Sequence, residues 1–165
     1  MTTQQEITFF HGLESGPFGA KFHRLSQDFQ VQSPDFKGMM NIYDRLKKAE
    51  RLTRGARDLV VVGSSFGGLL AALLYNSYPE RFGGYVLMAP ALHRGMGEEI
   101  EKMPEHCAVI HGAHDEVVDL QAVQQVCQRF GVEVEVVDDG HRLHDSLDRM
   151  AEATSEVLRR VQGSK

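Results

Sequence analysis

The chain has 165 residues and a formal net charge of −5. We expect a single domain spanning 1–165, which would bury about 70% of the surface of the extended chain and need no disulfide or structural metal. The 18 lysines and arginines are scattered along the sequence, which argues against the basic face that nucleic acids and anionic membranes require.

Apolar patterns divide the chain into alternating strands and helices. Short apolar runs predict strands, and apolar residues spaced three or four apart predict helices with one buried face. In chain order, the predicted elements are a strand at 7–10, a helix at 17–29, a strand at 31–36, a helix at 40–52, a strand at 59–62, a helix at 66–76, strands at 82–88 and 107–111, a helix at 120–130, a strand at 132–137 and a closing helix at 141–161. The cations of the helix at 40–52 are expected on its outer face.

This alternation predicts an α/β fold with a doubly wound, mostly parallel sheet of about six strands and helices on both faces. The strand at 31–36 is the weakest of the six, and Pro34 within it suits a sheet edge. The only long irregular stretch is 91–104, which is too short for a helical lid. We therefore expect no cap domain over the sheet.

The segment Gly63-x-Ser65-x-Gly67 follows the third predicted strand and opens the next predicted helix. A sharp turn from strand to helix brings the residues two before and two after the serine into near contact, so glycine fits both positions. The helix begins at Phe66, and its unpaired N–H groups face an anion that forms beside Ser65. Ser65 is the candidate nucleophile. The alternative is a glycine-rich turn without chemistry.

Partners for Ser65 should follow other strands, because open parallel sheets bind ligands at the carboxyl ends of their strands. Two such segments are rich in acids and histidines, His-Gly-Ala-His-Asp-Glu at 111–116 and Asp-Asp-Gly-His at 138–141. Imidazole titrates near neutrality and can take the serine proton, and a carboxylate can orient the imidazole. We assign His141 as the base and Asp115 as the acid.

Each assignment has a competitor close by in the sequence. Asp119 could replace Asp115, but it lies farther from the strand end and could equally cap the helix that follows it. His144 could replace His141. We favour His141 because Gly140 should let the loop turn its ring toward the serine.

The same segments could also be interpreted as metal ligands, because imidazole and carboxylate suit zinc or nickel. The two candidate ligand sets are His111, His114 and Asp115, and His141, His144 and Asp145. A metal site would leave the serine turn without a purpose, whereas one triad explains the turn, the acid and the histidine together. We expect neither a metal nor another cofactor.

With these residues the chain resembles the α/β-hydrolase superfamily along essentially its whole length, as a small member without a lid. The resemblance rests on the glycine-serine turn at 63–67, on Asp115 within His-Gly-x-x-Asp-x-Val-Val, and on His141 directly after a glycine. The opening His-Gly-Leu-Glu-Ser-Gly-Pro is similar to small bacterial esterase-like proteins of the superfamily. The resemblance implies a strand order of 2-1-3-4-5-6 and an oxyanion hole formed by the N–H groups of Leu13 and Phe66.

The function that this combination implies is a serine hydrolase that cleaves a small carboxylic ester or thioester through an acyl-enzyme. Two residues after the fourth strand, His93 and Arg94, could line its substrate pocket, although both could equally be ordinary solvated residues. His11 is a further pocket candidate that more readily shapes its own loop. An acyltransferase with the same acyl-enzyme, and a non-catalytic binding protein of the same fold, are the alternatives.

Two further features bear on location. The start of the chain lacks a basic and then apolar leader, and no apolar run approaches the about 20 residues that span a bilayer. Cys107 and Cys127 fall inside predicted elements, which suits reduced, buried thiols without a redox role. We therefore expect a cytoplasmic protein with no membrane partner. The expected partner, from the hydrolase chemistry above, is a small-molecule acyl substrate.

Overall fold

A computed structural model of the chain describes residues 4–165. The first three residues, which belong to the stretch in which we expect no leader, lie outside the described residues. The described strands are β1 (Glu6–Phe10), β2 (Gln30–Gln32), β3 (Leu59–Ser64), β4 (Phe82–Met88), β5 (His106–Gly112) and β6 (Val134–Val137). The described α-helices are α1 (Ala20–Ser26), α2 (Ile42–Leu52), α3 (Phe66–Ser77), α4 (Leu120–Gln128) and α5 (Leu147–Gly163). Three 3₁₀ turns accompany them, at Pro79–Arg81, Met96–Glu99 and His144–Ser146.

The six strands form one sheet in the order β2-β1-β3-β4-β5-β6. Each pair of neighbouring strands is parallel, and the register sets Phe10 beside Gly63 and Ser64 beside Met88. The predicted fold class and strand order are confirmed, with β2 at the sheet edge. Because all strands run in one direction, their carboxyl ends meet at a single rim, which we call the C-terminal rim.

Successive residues of each strand point to opposite faces of the sheet, so the strands contribute to two cores. Val61 and Tyr85 pack on one face with residues of α2, α3 and α4. Val60, Val62 and Val86 pack on the other face with residues of α1 and α5. Helices therefore cover both faces, as predicted. Within residues 4–165, no helix is both long enough and apolar enough to cross a membrane.

Elements of the first part of the chain are shorter than the apolar pattern predicted. Helix α1 covers 20–26 instead of 17–29, and β2 covers 30–32 instead of 31–36. Pro34 lies beyond the end of β2, since a proline has no N–H to donate to a strand ladder. The strand at the sheet edge therefore pairs with β1 over three residues only.

The closing helix begins at Leu147, and the prediction that it starts at His141 is wrong. Leu143 adopts a left-handed conformation with φ of 55°, which a continuing helix cannot accommodate. The Asp139 carboxylate then accepts the Asp145 N–H at 2.9 Å and the Ser146 hydroxyl at 2.8 Å, which fixes the turn before α5. His141 is consequently part of a loop at the C-terminal rim.

The two cysteines are free thiols in different environments. Cys127 is buried in α4, and burial raises the pKa of its thiol to about 12. Cys107 on β5 is only partly buried, and burial raises its pKa to about 11. The expectation of buried thiols therefore holds for Cys127, whereas Cys107 is only partly buried.

Candidate active site

Ser65 lies at the junction of β3 and α3. Its φ of 53° and ψ of −112° form a strained conformation, which costs a residue other than glycine about 1–3 kcal/mol. Neighbouring backbone holds this turn: the Ser65 N–H donates to the Met88 carbonyl at 2.9 Å, and the Ala91 N–H donates to the Ser65 carbonyl at 2.9 Å. The strained turn places the serine hydroxyl at the C-terminal rim.

The two glycines of this turn are required by close backbone contacts. A Cβ on Gly63 would lie 2.5 Å from the carbonyl oxygen of Gly67, and a Cβ on Gly67 would lie 2.7 Å from the carbonyl oxygen of His11. Backbone atoms cannot move aside for a side chain as a flexible side chain can. The turn can therefore pack against the end of β1 only with glycine at both positions.

One chain of hydrogen bonds joins the Ser65 hydroxyl to the His141 imidazole, and the imidazole to the Asp115 carboxylate. His141 Nε2 lies 3.1 Å from Ser65 Oγ, and His141 Nδ1 lies 2.8 Å from Asp115 Oδ2. Because a carboxylate can only accept, Nδ1 carries the imidazole proton and Nε2 is free to accept the hydroxyl proton. The arrangement is suited to activating a serine as a nucleophile.

Asp115 is fully buried and both of its oxygens are occupied. Oδ1 accepts the N–H groups of Val117 and Val118, each at 2.8 Å, and Oδ2 accepts from His141 and lies 3.1 Å from His111 Nε2. Burial by itself would raise the pKa of this carboxyl. The hydrogen bonds from Val118, His141 and Val117 outweigh burial and hold its pKa below the ordinary value.

His111 is a second histidine on the same carboxylate. Its ring is fully buried, and Nε2 lies 2.9 Å from the Val118 carbonyl as well as 3.1 Å from Asp115 Oδ2. Both neighbours are acceptors, so Nε2 carries the proton of a neutral ring, in keeping with the burial that lowers the pKa of His111. His111 Nδ1 is buried without a partner among residues 4–165.

The competing acid, Asp119, and the competing base, His144, lie outside this chain of hydrogen bonds. The Asp119 carboxylate accepts the Gln121 N–H at 3.4 Å and so caps α4. His144 is exposed in the 3₁₀ turn before α5 and is not hydrogen-bonded to Ser65. Ser65 is therefore hydrogen-bonded to His141, and His141 to Asp115, while Asp119 and His144 are not part of this chain of hydrogen bonds.

The loop that presents His141 is organised by Asp139, which the sequence analysis did not single out. In addition to its bonds at the start of α5, Asp139 accepts the Gly140 N–H at 2.8 Å. The left-handed turn of this loop falls on Leu143, and a Cβ on Gly140 would meet open space. The idea that Gly140 provides the bend is therefore wrong. The signal for Asp139 in the sequence was an acid directly before Gly140 and His141.

Two backbone N–H groups, of Leu13 and Phe66, lie on segments that run beside Ser65. Phe66 is the first residue of α3, and Leu13 follows Gly12 in the loop after β1. A Cβ on Gly12 would lie 3.7 Å from Ser65 Cβ, so this loop runs directly beside the serine. Among residues 4–165 neither the Leu13 nor the Phe66 N–H donates to a backbone carbonyl. These two N–H groups are the candidates for binding an oxyanion beside Ser65.

His11 shapes this loop and does not line an open pocket. Its side chain is 1% exposed. Nε2 accepts the Phe36 N–H at 2.8 Å, so Nδ1 carries the proton and donates to the Gly12 carbonyl at 2.8 Å. The inclusion of His11 among the pocket residues is therefore corrected.

Arg45 contradicts the expectation that the cations of its helix face outward, because its side chain is fully buried. The guanidinium donates to three backbone carbonyls, of Met39 at 2.8 Å, of His11 at 2.9 Å and of Gly12 at 3.1 Å. Burial lowers the pKa of Arg45 to about 10, so the group is still charged at neutral pH. Its position three residues after Ile42, on the apolar stripe of α2, was the signal in the sequence.

His93 and Arg94, after β4, line a cavity of about 380 Å³ that also touches Asp115. Arg94 is exposed and has a left-handed backbone with φ of 53°. His93 is partly buried, burial lowers its pKa, and its Nδ1 has no partner among residues 4–165. Both predicted pocket residues therefore border an opening next to Asp115.

The alternative metal ligands are not gathered into a site. His114 is exposed and its Nε2 lies 2.7 Å from Asp138 Oδ1, while His111 and His141 both contact Asp115. Within the part of the chain that the structure describes, no group of three or more His, Cys, Asp or Glu side chains could hold a metal ion.

No family model matches the sequence, and no curated protein matches it significantly. Solved structures do resemble it. A protein of the alpha/beta hydrolase superfamily from Xanthomonas campestris pv. campestris has a TM-score of 0.79 at 24% identity, over 96% of this chain and 99% of the other. Est1E from Butyrivibrio proteoclasticus has a TM-score of 0.77 at 12% identity, over 97% and 89% of the two chains.

A third similar structure is the meta-cleavage product hydrolase from Pseudomonas fluorescens IP01, with a TM-score of 0.75 at 16% identity over 94% of this chain and 91% of the other. At these identities the likeness concerns the fold. The sheet order, the covering helices and the serine turn agree with it. The chain has the α/β-hydrolase fold, in a small form without a cap domain in residues 4–165.

Proposed function

We propose that the protein is a serine hydrolase that cleaves a small carboxylic ester or thioester through an acyl-enzyme. The observation that carries the proposal is the hydrogen-bonded line from Ser65 Oγ through His141 to Asp115, with distances of 3.1 Å and 2.8 Å. The hydrolases among the similar structures support hydrolytic chemistry in general.

The reaction begins when Ser65 Oγ attacks the acyl carbonyl carbon and its proton passes to His141 Nε2. The electron pair of the carbonyl moves to its oxygen, which accepts hydrogen bonds from the Leu13 and Phe66 N–H groups; each such donor is commonly worth about 3 kcal/mol. Collapse of this intermediate expels the alcohol or thiol, which takes the proton from His141. Water then attacks the acyl-serine by the same steps, while Asp115 stabilises the imidazolium.

A small acyl group is the best match to this site. The segment 91–104 after β4 contains one short 3₁₀ turn, at Met96–Glu99, and forms no helical lid. A long acyl chain without a lid would stay in contact with water, and its apolar surface would contribute little to binding. We expect turnover of p-nitrophenyl acetate or butyrate to exceed that of the palmitate ester at equal concentration.

The nucleophile is tested by labelling with a fluorophosphonate probe, which forms a covalent bond with an activated serine. We expect the unsubstituted protein to be labelled and Ser65→Ala to lose the label completely. Ser64→Ala is the matched control, since it removes a hydroxyl one residue away and should leave labelling intact. Labelling that survives in Ser65→Ala would remove Ser65 from this role.

A further inference from the structure

One buried cation lies beside the site, and the triad itself does not use it. Arg45 reaches from α2 under the loop that follows β1 and donates to the carbonyls of Met39, His11 and Gly12. Taking a charge out of water is costly, so a buried cation is normally paired with an acid. Here no acid pairs with it among residues 4–165, and carbonyl oxygens and the aromatic rings of Phe36 and Phe66 surround it instead.

The contact with Gly12 acts on one of the two oxyanion donors. The Gly12 carbonyl and the Leu13 N–H belong to the same peptide group, and in a trans peptide they point in opposite directions. The Gly12 oxygen accepts from Arg45 Nη2 at 3.1 Å and from His11 Nδ1 at 2.8 Å. Two donors on the oxygen fix the plane of the peptide and polarise it, which makes the N–H at the other end a stronger donor.

A second contact reaches the residue that supplies the other donor. The guanidinium carbon of Arg45 lies 4.9 Å from the ring centre of Phe66, within the range of a cation–π interaction. Leu13 and Phe66 lie on different parts of the chain, one after β1 and one at the start of α3. Arg45 therefore contacts the peptide group that contains the Leu13 N–H, and also the side chain of Phe66, the residue that supplies the other N–H.

Given the proposed hydrolase, we propose that Arg45 is a positioning residue for its oxyanion hole. It fixes the Gly12–Leu13 peptide and the Phe66 residue, and it supplies a positive charge behind the point where the oxyanion forms. When the carbonyl electron pair moves to oxygen, this charge stabilises it through protein of low dielectric constant. Arg45 forms no bond to the substrate and keeps its proton throughout.

Three variants separate this role from a structural one. Arg45→Met removes the charge and the hydrogen bonds and keeps an unbranched apolar stem. Arg45→Lys keeps the charge, but its three donors sit on one nitrogen and cannot reproduce the spread of Nε, Nη1 and Nη2, which reach three separate carbonyls. Arg81→Met is the matched control: Arg81 is 9% exposed, donates to the Glu50 carbonyl at 2.9 Å and stacks on Tyr78, but it follows the far end of α3.

The readouts are kcat and KM for p-nitrophenyl acetate and the dissociation constant of a trifluoromethyl ketone, which forms a tetrahedral adduct with an activated serine. For Arg45→Met we expect kcat to fall about 100-fold and the ketone to bind about 100-fold more weakly, while KM stays within about threefold. Arg45→Lys should lose about tenfold in both. Arg81→Met should change neither.

A folded Arg45→Met protein whose kcat and ketone affinity stay within about threefold of the unsubstituted protein would overturn the inference. The triad would then stand, because Ser65→Ala would still abolish labelling. If Arg45→Met does not fold, unchanged kcat and ketone affinity in Arg45→Lys would overturn it instead. A protein that forms no ketone adduct without any substitution would remove the proposed function itself.

Discussion

At the scale of single residues, the site depends on a carboxylate that is buried and fully hydrogen-bonded. Asp115 accepts three hydrogen bonds, from two backbone N–H groups and from the ring of His141, and the ring of His111 lies 3.1 Å from its Oδ2. The backbone bonds hold the carboxylate in place and keep it ionised in spite of its burial. An ionised acid is what keeps the proton of His141 on Nδ1 and leaves Nε2 facing the serine.

Asp115→Asn should therefore damage catalysis much more than stability. The asparagine oxygen can still accept the Val117 and Val118 N–H groups, but its NH₂ would face His141 Nδ1 and favour the wrong tautomer. We expect kcat for p-nitrophenyl acetate to fall about 10³ to 10⁴-fold. Asp119→Asn is the control, because asparagine also caps a helix, and its kcat should be unchanged. A fall of less than about tenfold in Asp115→Asn would argue against the triad.

At the scale of elements, the functional groups come from loops that end strands of one sheet. The serine follows β3, the acid follows β5 and the base follows β6, while the loop after β1 carries Leu13. Packing between these loops is tight at the serine turn, where Gly67 meets the backbone at the end of β1. The position of the nucleophile relative to Leu13 is thus set by contact between two backbones.

Gly67→Ala tests this contact. Its Cβ would lie 2.5 Å from the carbonyl carbon of Phe10, so either the turn or β1 must move. We expect the free energy of unfolding in urea to fall by about 3 kcal/mol, and fluorophosphonate labelling to be lost. Gly140→Ala, in the loop that carries His141, is the control, since its Cβ meets nothing within 4 Å. Equal stability of the two variants would contradict the role given to this backbone contact.

The sequence predicted the elements and the triad better than their local turns. Strand order and the grouping of Ser65, Asp115 and His141 followed from apolar patterning and from the resemblance to a known superfamily. The buried Arg45 did not, because what satisfies it are the carbonyls of His11 and Gly12, more than 30 residues away in the chain. The turn at Leu143 was missed for a similar reason, since Asp139 stabilises it through contacts that no periodicity reveals.

At the scale of the whole molecule, acid should destabilise the fold. Burial lowers the pKa of His11 and His111 in the folded protein below the value of 6.5 that an unperturbed histidine has. Between the folded and unfolded pKa values the unfolded chain binds more protons, so stability falls as pH falls. The contribution of the two neutral histidines to the free energy of unfolding is complete above pH 6.5. It is lost as the pH decreases through the pKa values that His11 and His111 have in the folded protein.

Urea unfolding across this range measures the effect. We expect the free energy of unfolding to decrease as the pH is lowered from 7.5 through 6.5 and further. His111→Gln should flatten this dependence, because glutamine does not titrate. The exposed His23→Gln is the control and should leave the slope unchanged. A stability that rises on acidification through this range would contradict the burial of neutral histidines.

In the proposed mechanism Ser65 carries the acyl group during turnover. This is measured directly by rapid mixing with p-nitrophenyl acetate, quenching in acid, and peptide mapping by mass spectrometry. We expect one added acetyl group, found on the peptide that contains Ser65 and absent from Ser65→Ala. Hydrolysis with no acetylated serine, or with the acetyl group on another residue in the unsubstituted protein, would contradict it.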